Sequence, residues 1–291
     1  MSLAGLVERA AQRPIRLLLA GGDPAVLEDA AARLAHSGLP HTAVVGSGAL
    51  RPEGHARIGS VALLLRNREP NRVRDGIHAL DLAADPVRFA AGLAALGDAD
   101  AVVTGPGVTY ESLTAAAEWT LGAPLDGGPV HAASWLLLAD GGLVACADCA
   151  FPGEQTPATR ARMARAVAHT HGRLTGQEAR VAFLTGPAQG GANDRGAEEA
   201  VERLKALDAG VMAEADPAAR FRRGANVLIF PGGTAAHLTV RTLRALSGAR
   251  LLGPMLVGLP GTVAGVAEDA DMDELVGTAA LAVLAAGPAA T

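Results

Sequence analysis

Four glycine-rich turns follow short apolar runs in this chain: Gly21-Gly22-Asp23, Gly105-Pro106-Gly107, the stretch from Gly186 to Asn193, and Pro231-Gly232-Gly233-Thr234. Glycine lets backbone N–H groups come close to an anion, so such turns at strand ends suit a negatively charged ligand. Each alone is more often an ordinary strand-to-helix turn, and four together point to an α/β protein with an anionic ligand. None continues as Gly-Lys-Ser/Thr, and none has the Gly-x-Gly-x-x-Gly spacing of a dinucleotide fingerprint in the right context. Polar side chains stand beside these turns. Thr104 and Thr185 close apolar runs, where a hydroxyl can hydrogen-bond a substrate or cap the next turn. His237 falls just inside the helix expected after Pro231, where a helix N-terminus favours the neutral imidazole and hence a base; a surface histidine is the plain alternative. Cys146 and Cys149 have redox-pair spacing, but Cys146 ends an apolar strand instead of opening a helix, and no second pair completes a zinc site. Asp148 with Cys149 reads as a turn carboxylate beside a small thiol, or as site chemistry. His169 and His171 read as helix-ending caps, Asp98 and Asp100 as solvated carboxylates, and Arg220, Arg222 and Arg223 as a solvated loop.

The elements that must hold these residues alternate almost from end to end. Strands are expected over 15–20, 42–45, 61–65, 101–104, 130–138, 143–147, 181–184, 211–213, 226–230 and 255–258. Helices are expected over 25–35, 87–96, 110–121, 158–170, 195–207, 235–246 and 272–285. Many strand runs are continuously apolar, as in Val227-Leu228-Ile229-Phe230, which marks strands of a parallel sheet covered on both faces. Asp23-Pro24, Asp85-Pro86, Asp216-Pro217 and Thr156-Pro157 each place a capping oxygen ahead of a proline at the first helical position, and Asp271 caps without one. In open α/β sheets ligands bind beyond the carboxyl ends of the strands, where the four glycine turns lie.

The 291 residues suffice for one large domain or two ordinary ones, and 49% of them are hydrophobic while only 3% are aromatic. Such an Ala/Val/Leu core suits helices on a sheet. The net charge of −5, without basic clusters interleaved with aromatics, argues against a nucleic-acid surface. Two cysteines make no disulfide framework. Residues 1–14 lack the apolar core of a secretory signal, and the apolar stretch 275–287 is shorter than the about 20 residues a membrane span needs. A cytoplasmic protein without membrane partners is expected.

Five stretches, in order, resemble the phosphate acetyltransferase/phosphate butyryltransferase family. They are Gly21-Gly22-Asp23-Pro24-Ala25-Val26-Leu27; Ala99-Asp100-Ala101-Val102-Val103-Thr104-Gly105; Ala147-Asp148-Cys149-Ala150; Arg180 to Thr185 continuing to Gln189-Gly190-Gly191-Ala192; and Ala225 to Pro231 followed by Gly253 to Gly258. The resemblance implies two three-layer α/β domains with mainly parallel sheets and an interdomain cleft, as in phosphate acyltransferases and isocitrate dehydrogenases. Its boundaries would be 1–125 with 262–291, and 126–261. It implies a homodimer that exchanges an acyl group between coenzyme A and inorganic phosphate, with coenzyme A as substrate and no metal or bound cofactor. On this reading Asp148 and His237 are catalytic. Thr104, Gly105, Cys149, Thr185, Gln189, Gly190, Pro231 and Arg241 then bind substrate. The chain departs from the family's pattern where Ala267 and Glu268 stand for a Ser-Arg pair, Thr114 for an arginine, Gly191 for a serine and Glu274 for an aspartate. Losing charge-assisted phosphate contacts predicts weakened acyl transfer, or a degenerate member that binds acyl-CoA or another anion. A dehydrogenase on the same scaffold is disfavoured because no metal-binding carboxylate cluster is evident.

Overall fold

The computed structural model describes residues 1–48, 50–124, 127–148, 156–185, 192–216 and 224–287, and the side chains of 192–195 are not part of that description. The chain divides into two compact units, one formed by Ser2–Ala123 with Leu259–Thr291 and the other by Pro124–Gly258. They are called the split and the inserted unit below. The split unit begins with α1 (Leu3–Ala11), β1 (Leu17–Ala20), α2 (Pro24–His36), β2 (Thr42–Val44), α3 (Ile58–Arg68), α4 (Gly76–Ala83), α5 (Pro86–Ala95), β3 (Ala101–Thr104) and α6 (Tyr110–Leu121). The inserted unit comprises β4 (His131–Leu137), β5 (Leu143–Ala147), α7 (Pro157–Thr175), β6 (Arg180–Leu184), α8 (Ala192–Leu207), β7 (Met212–Asp216), β8 (Val227–Ile229), α9 (Gly233–Ser247) and β9 (Arg250–Val257). The chain then returns to the split unit as β10 (Thr262–Ala264) and α10 (Met272–Ala285).

In the split unit the strands run β2-β1-β3-β10, all parallel. β1 and β3 are buried along their whole length, as continuous apolar runs require. Helices α1 and α2 pack with α10, whereas α3, α4, α5 and α6 pack among themselves. α10 is apolar on every side and buried from Glu274 to Ala285, the pattern of a helix inside a core. Burying Leu275, Leu281 and Leu284 stabilises by about 1.5–3 kcal/mol each.

The capping signals are present where the sequence puts them. Asp23 accepts from Ala25 N at 2.9 Å, Asp85 from Arg88 N at 2.9 Å, Thr156 from Thr159 N at 3.2 Å and Asp271 from Glu274 N at 2.8 Å. Each cap contributes about 1 kcal/mol. Asp216 instead ends β7, and Pro217 lies outside the described residues.

The strand expected over 61–65 is a correction: these residues lie inside α3. Val61 there packs onto Gly92 of α5, where a Cβ would come within 2.5 Å of Val61 Cγ1. The glycine lets the two helices touch. Helices α1 and α4 and strand β10 were not expected.

The inserted unit orders its strands β9-β4-β5-β8-β6-β7. β4 runs antiparallel to both β9 and β5, while β5, β8, β6 and β7 are parallel. Trp135 is fully buried in β4. Helix α7 continues to Thr175, so His169 and His171 do not end it. Among the described residues no helix is long and apolar enough to cross a membrane.

Candidate functional site

Strand register assembles one group of residues at the edge of the inserted unit formed by the ends of its strands. Ala147 of β5 pairs with Ile229 of β8, and Ile229 with Phe183 of β6. The residues that follow therefore leave three adjacent parallel strands side by side: Asp148 after β5, Phe230-Pro231 after β8, and Thr185 after β6. Phe230 N donates to Ala147 O at 2.8 Å, which extends the ladder one step past β8. Because β4 is antiparallel, its first residue, His131, reaches the same edge.

His131 and Asp148 meet there, with Nδ1 3.2 Å from Oδ2. Both are buried, Asp148 completely. An ionised carboxylate only accepts hydrogen bonds, so Asp148 selects the imidazole form that carries its proton on Nδ1. Nε2, the other ring nitrogen, is buried as well. Asp148 was expected here and His131 was not. The peptide between Ala147 and Asp148 is cis. Cys146, two residues earlier, is wholly enclosed, and burial pushes its thiol up to about 12, leaving it protonated and unreactive near neutral pH. Cys149, Gln189, Gly190 and the Arg220, Arg222, Arg223 run lie outside the described residues.

Other expected residues fall elsewhere. His237 and Arg241 occupy exposed positions of α9, without the burial His131 and Asp148 share. With Arg244 they stand at i, i+4 and i+7, along one face of that helix. Thr104 ends β3 in the split unit, fully buried, and its hydroxyl has no hydrogen-bond partner among the described residues. It does not cap the next turn. A Cβ on Gly265 would approach its Oγ1 to 3.0 Å. The Gly105 N–H donates to Gly21 O at 3.2 Å. A side chain on Gly22 would lie 2.7 Å from Pro106 O, and one on Gly105 would lie 2.8 Å from Gly21 O. In this unit the two glycine turns are pressed against each other.

The remaining polar residues are engaged locally. Asp100 is not simply solvated: it takes a two-pronged ion pair from Arg16 at 2.8 and 2.9 Å, which holds its carboxyl below the ordinary range. Asp98 pairs with Arg57 at 2.8 Å. His169 reaches Asp208 at 2.6 Å, and His171 is buried within α7 with neither ring nitrogen hydrogen-bonded among the described residues. Burial drives His171 down to about 4. Thr114 donates its hydroxyl to Tyr110 O at 2.8 Å. Glu274 and Asp271 form a reciprocal capping box at the start of α10, and Glu268 is exposed. Among the described residues no group of three or more His, Cys, Asp or Glu side chains is placed to hold a metal ion.

Comparison with known proteins adds the following. The family model described as phosphate acetyl/butaryl transferase matches residues 2–208 and 204–283. A phosphate acetyltransferase of Paracoccus denitrificans is 25% identical over 300 residues, covering 92% of this chain and 93% of its own. An NADP-dependent malic enzyme of Rhizobium meliloti (strain 1021) is 32% identical over 221 residues, covering 70% of this chain; the match spans only 29% of that enzyme's length. A phosphotransacetylase structure from Streptococcus pyogenes superposes with a TM-score of 0.84 at 16% identity, over 98% of this chain and 99% of that one.

Proposed function

Because the chain belongs to the phosphate acetyl/butaryl transferase family, we propose that it exchanges a short acyl group between coenzyme A and inorganic phosphate, using His131 and Asp148 to move the thiol proton. In one direction His131 Nε2 takes the proton from the thiol of coenzyme A. The thiolate adds to the carbonyl carbon of an acyl phosphate, the C–O bond to phosphate breaks, the departing phosphate oxygen takes the proton from the imidazolium, and acyl-CoA and hydrogen phosphate leave. In reverse, His131 takes the proton of hydrogen phosphate as its oxygen adds to the thioester, the C–S bond breaks, and the imidazolium passes that proton to the departing sulfur. Asp148 holds the imidazole in orientation and balances its charge when it is protonated. The observation that carries this reading is the buried 3.2 Å contact between the two side chains at the edge where β5, β8 and β6 end.

The remaining assignments follow from position. Thr185 and Pro231 border the reacting groups, while Cys149, Gln189 and Gly190 are assigned as substrate contacts from the resemblance alone. Thr104 and Gly105 are substrate contacts of the split unit. His237, Arg241 and Arg244 form a basic stripe on α9 that draws in phosphate groups; His237 is the second candidate for proton transfer. Leu238, Leu243 and Leu246 are exposed on another side of the same helix and support a homodimer. Domains bounded at 1–125 with 262–291 and at 126–261 belong to the same reading, as does a cytoplasmic location beside the acyl-CoA pool.

A second reading, a member that binds acyl-CoA without transferring the acyl group, is favoured by one observation. Where the resemblance places Ser-Arg and Asp, the chain has Ala267, an exposed Glu268 and a Glu274 committed to a capping box. Acyl phosphate formation from acetyl-, propionyl- and butyryl-CoA decides between them. Turnover that collapses in His131→Gln supports transfer. Tight acyl-CoA binding with no acyl phosphate supports the second reading.

A further inference from the structure

Arg160 lies in the first turns of α7, 4% exposed, and nothing above uses it. Its Nη2 makes one long contact, 3.4 Å, to the carbonyl of Leu184, the last residue of β6. Its guanidinium carbon sits 5.4 Å from the centre of the Phe183 ring. Its Nε is buried with no hydrogen-bond partner, and no carboxylate among the described residues pairs with it. The Asp and Glu side chains described as ion-paired in the inserted unit are engaged by other groups: Asp148 by His131, Asp208 by His169, Glu199 by Arg203 and Glu202 by Lys205.

A guanidinium taken out of water costs free energy unless an anion and further hydrogen bonds compensate it. One weak bond to a carbonyl and the face of a phenyl ring compensate only part. Burial alone lowers its pKa to about 10, so the group still carries its charge near neutral pH. Leu184 is the residue through which β6 reaches the edge shared by Asp148 and Pro231. This cation, unpaired among the described residues, is therefore held at the end of the strands where the reacting groups are assigned. The adjacent first turn of α7 adds N–H groups and the positive end of a 19-residue helix.

We propose that Arg160 is the anchoring cation for a phosphoryl oxyanion at the carboxyl end of β6, with its Nε and Nη donors gripping two oxygens of one group. This deepens the acyl-transfer reading and rests on it for the identity of the anion. The same chemistry is offered by inorganic phosphate and by the phosphoryl groups of coenzyme A, and the test separates them.

The full chain and two variants, Arg160→Met and Arg160→Lys, are compared by equilibrium binding and thermal melting in chloride buffers of constant ionic strength. Inorganic phosphate is one probe and coenzyme A the other. Arg160→Met is expected to lose at least tenfold in affinity for one probe, while melting no lower than the parent without either. Arg160→Lys, which keeps the charge and loses the fork, falls between. Loss confined to inorganic phosphate assigns the free ion, and loss confined to coenzyme A assigns its phosphoryl groups. Unchanged affinity for both probes in Arg160→Met overturns the proposal, as does a variant that merely melts lower; Arg160 would then only tie down Leu184. Should the methionine variant not fold, equal affinities of parent and Arg160→Lys overturn it as well. Acyl phosphate formation by the parent keeps the two readings apart. An inactive parent with Arg160-dependent binding removes the reaction and leaves the site, and an active parent with Arg160-independent binding does the reverse.

Discussion

The two units present similar loops at their strand ends and use them differently. In the split unit, Gly21-Gly22 and Gly105-Pro106 are glycine-rich because backbone must approach backbone: Gly22 has φ +88° and no room for a Cβ beside Pro106 O. In the inserted unit the corresponding edge holds charged and titratable side chains deprived of water: His131 with Asp148, and Arg160 with no carboxylate partner among the described residues. A glycine turn thus signals close approach without naming the partner. Buried charge is the feature that separates chemistry from packing.

That contrast is sharpest under substitution. Asp148→Asn is expected to lower acyl phosphate formation by about 10²–10⁴-fold, the scale of a lost acid–base group, while the protein stays folded. Thr104→Val in the split unit should instead shift stability by less than about 1 kcal/mol, toward the more stable, because its buried hydroxyl has no partner to lose among the described residues. A raised KM in that variant would support Thr104 as a substrate contact, and an unchanged KM would leave it with packing alone.

Within the inserted unit, His131 has a carboxylate and His171 has none among the described residues. The folded-state pKa of His171, about 4, lies below its ordinary 6.5, so the unfolded chain takes up the proton first. Its contribution to stability is complete above pH 6.5 and is lost as the pH falls through 4, by about 3 kcal/mol in all. His171→Leu should remove that part of the acid dependence in denaturant titrations across this window, and identical pH profiles would contradict the assignment.

Gly22→Ala, which must accept a left-handed backbone and a 2.7 Å contact, is expected to cost about 1–3 kcal/mol in melting experiments without changing activity per folded molecule. Asp100→Asn should cost about 0.5–1 kcal/mol, since Arg16 is half exposed. The lowered pKa of Asp100 means that this contribution is present above the ordinary carboxylate range and disappears as the pH falls below it.

Much of the fold was readable because its signals are local. Asp23, Asp85, Thr156 and Asp271 announce helices from a single side chain, and continuous apolar runs mark β1, β3 and β8. Residues 61–65 misled because five apolar or small residues in a row fit a buried strand and a buried helix alike, and Arg57 ahead of α3 supplies no side-chain cap. β10 escaped because three residues carry too little pattern. The site was half legible. Asp148, Thr185 and Pro231 follow strands, where ligands are sought. His131 is hidden inside an apolar run, and its meaning depends on Asp148, 17 residues away, a pairing that only register supplies. Arg160 looked like one more helical arginine, since burial is not written in its neighbours.

The reversal of β4 has a wider effect. In an all-parallel sheet every residue that meets a ligand comes after a strand, so activity changes chiefly when connecting segments are swapped or lengthened. Here His131 is carried on the front end of a strand anchored between two neighbours. Its identity can drift by a single codon without any insertion, deletion or remodelled connection, and relatives with unaltered loops could still differ in the residue that faces Asp148.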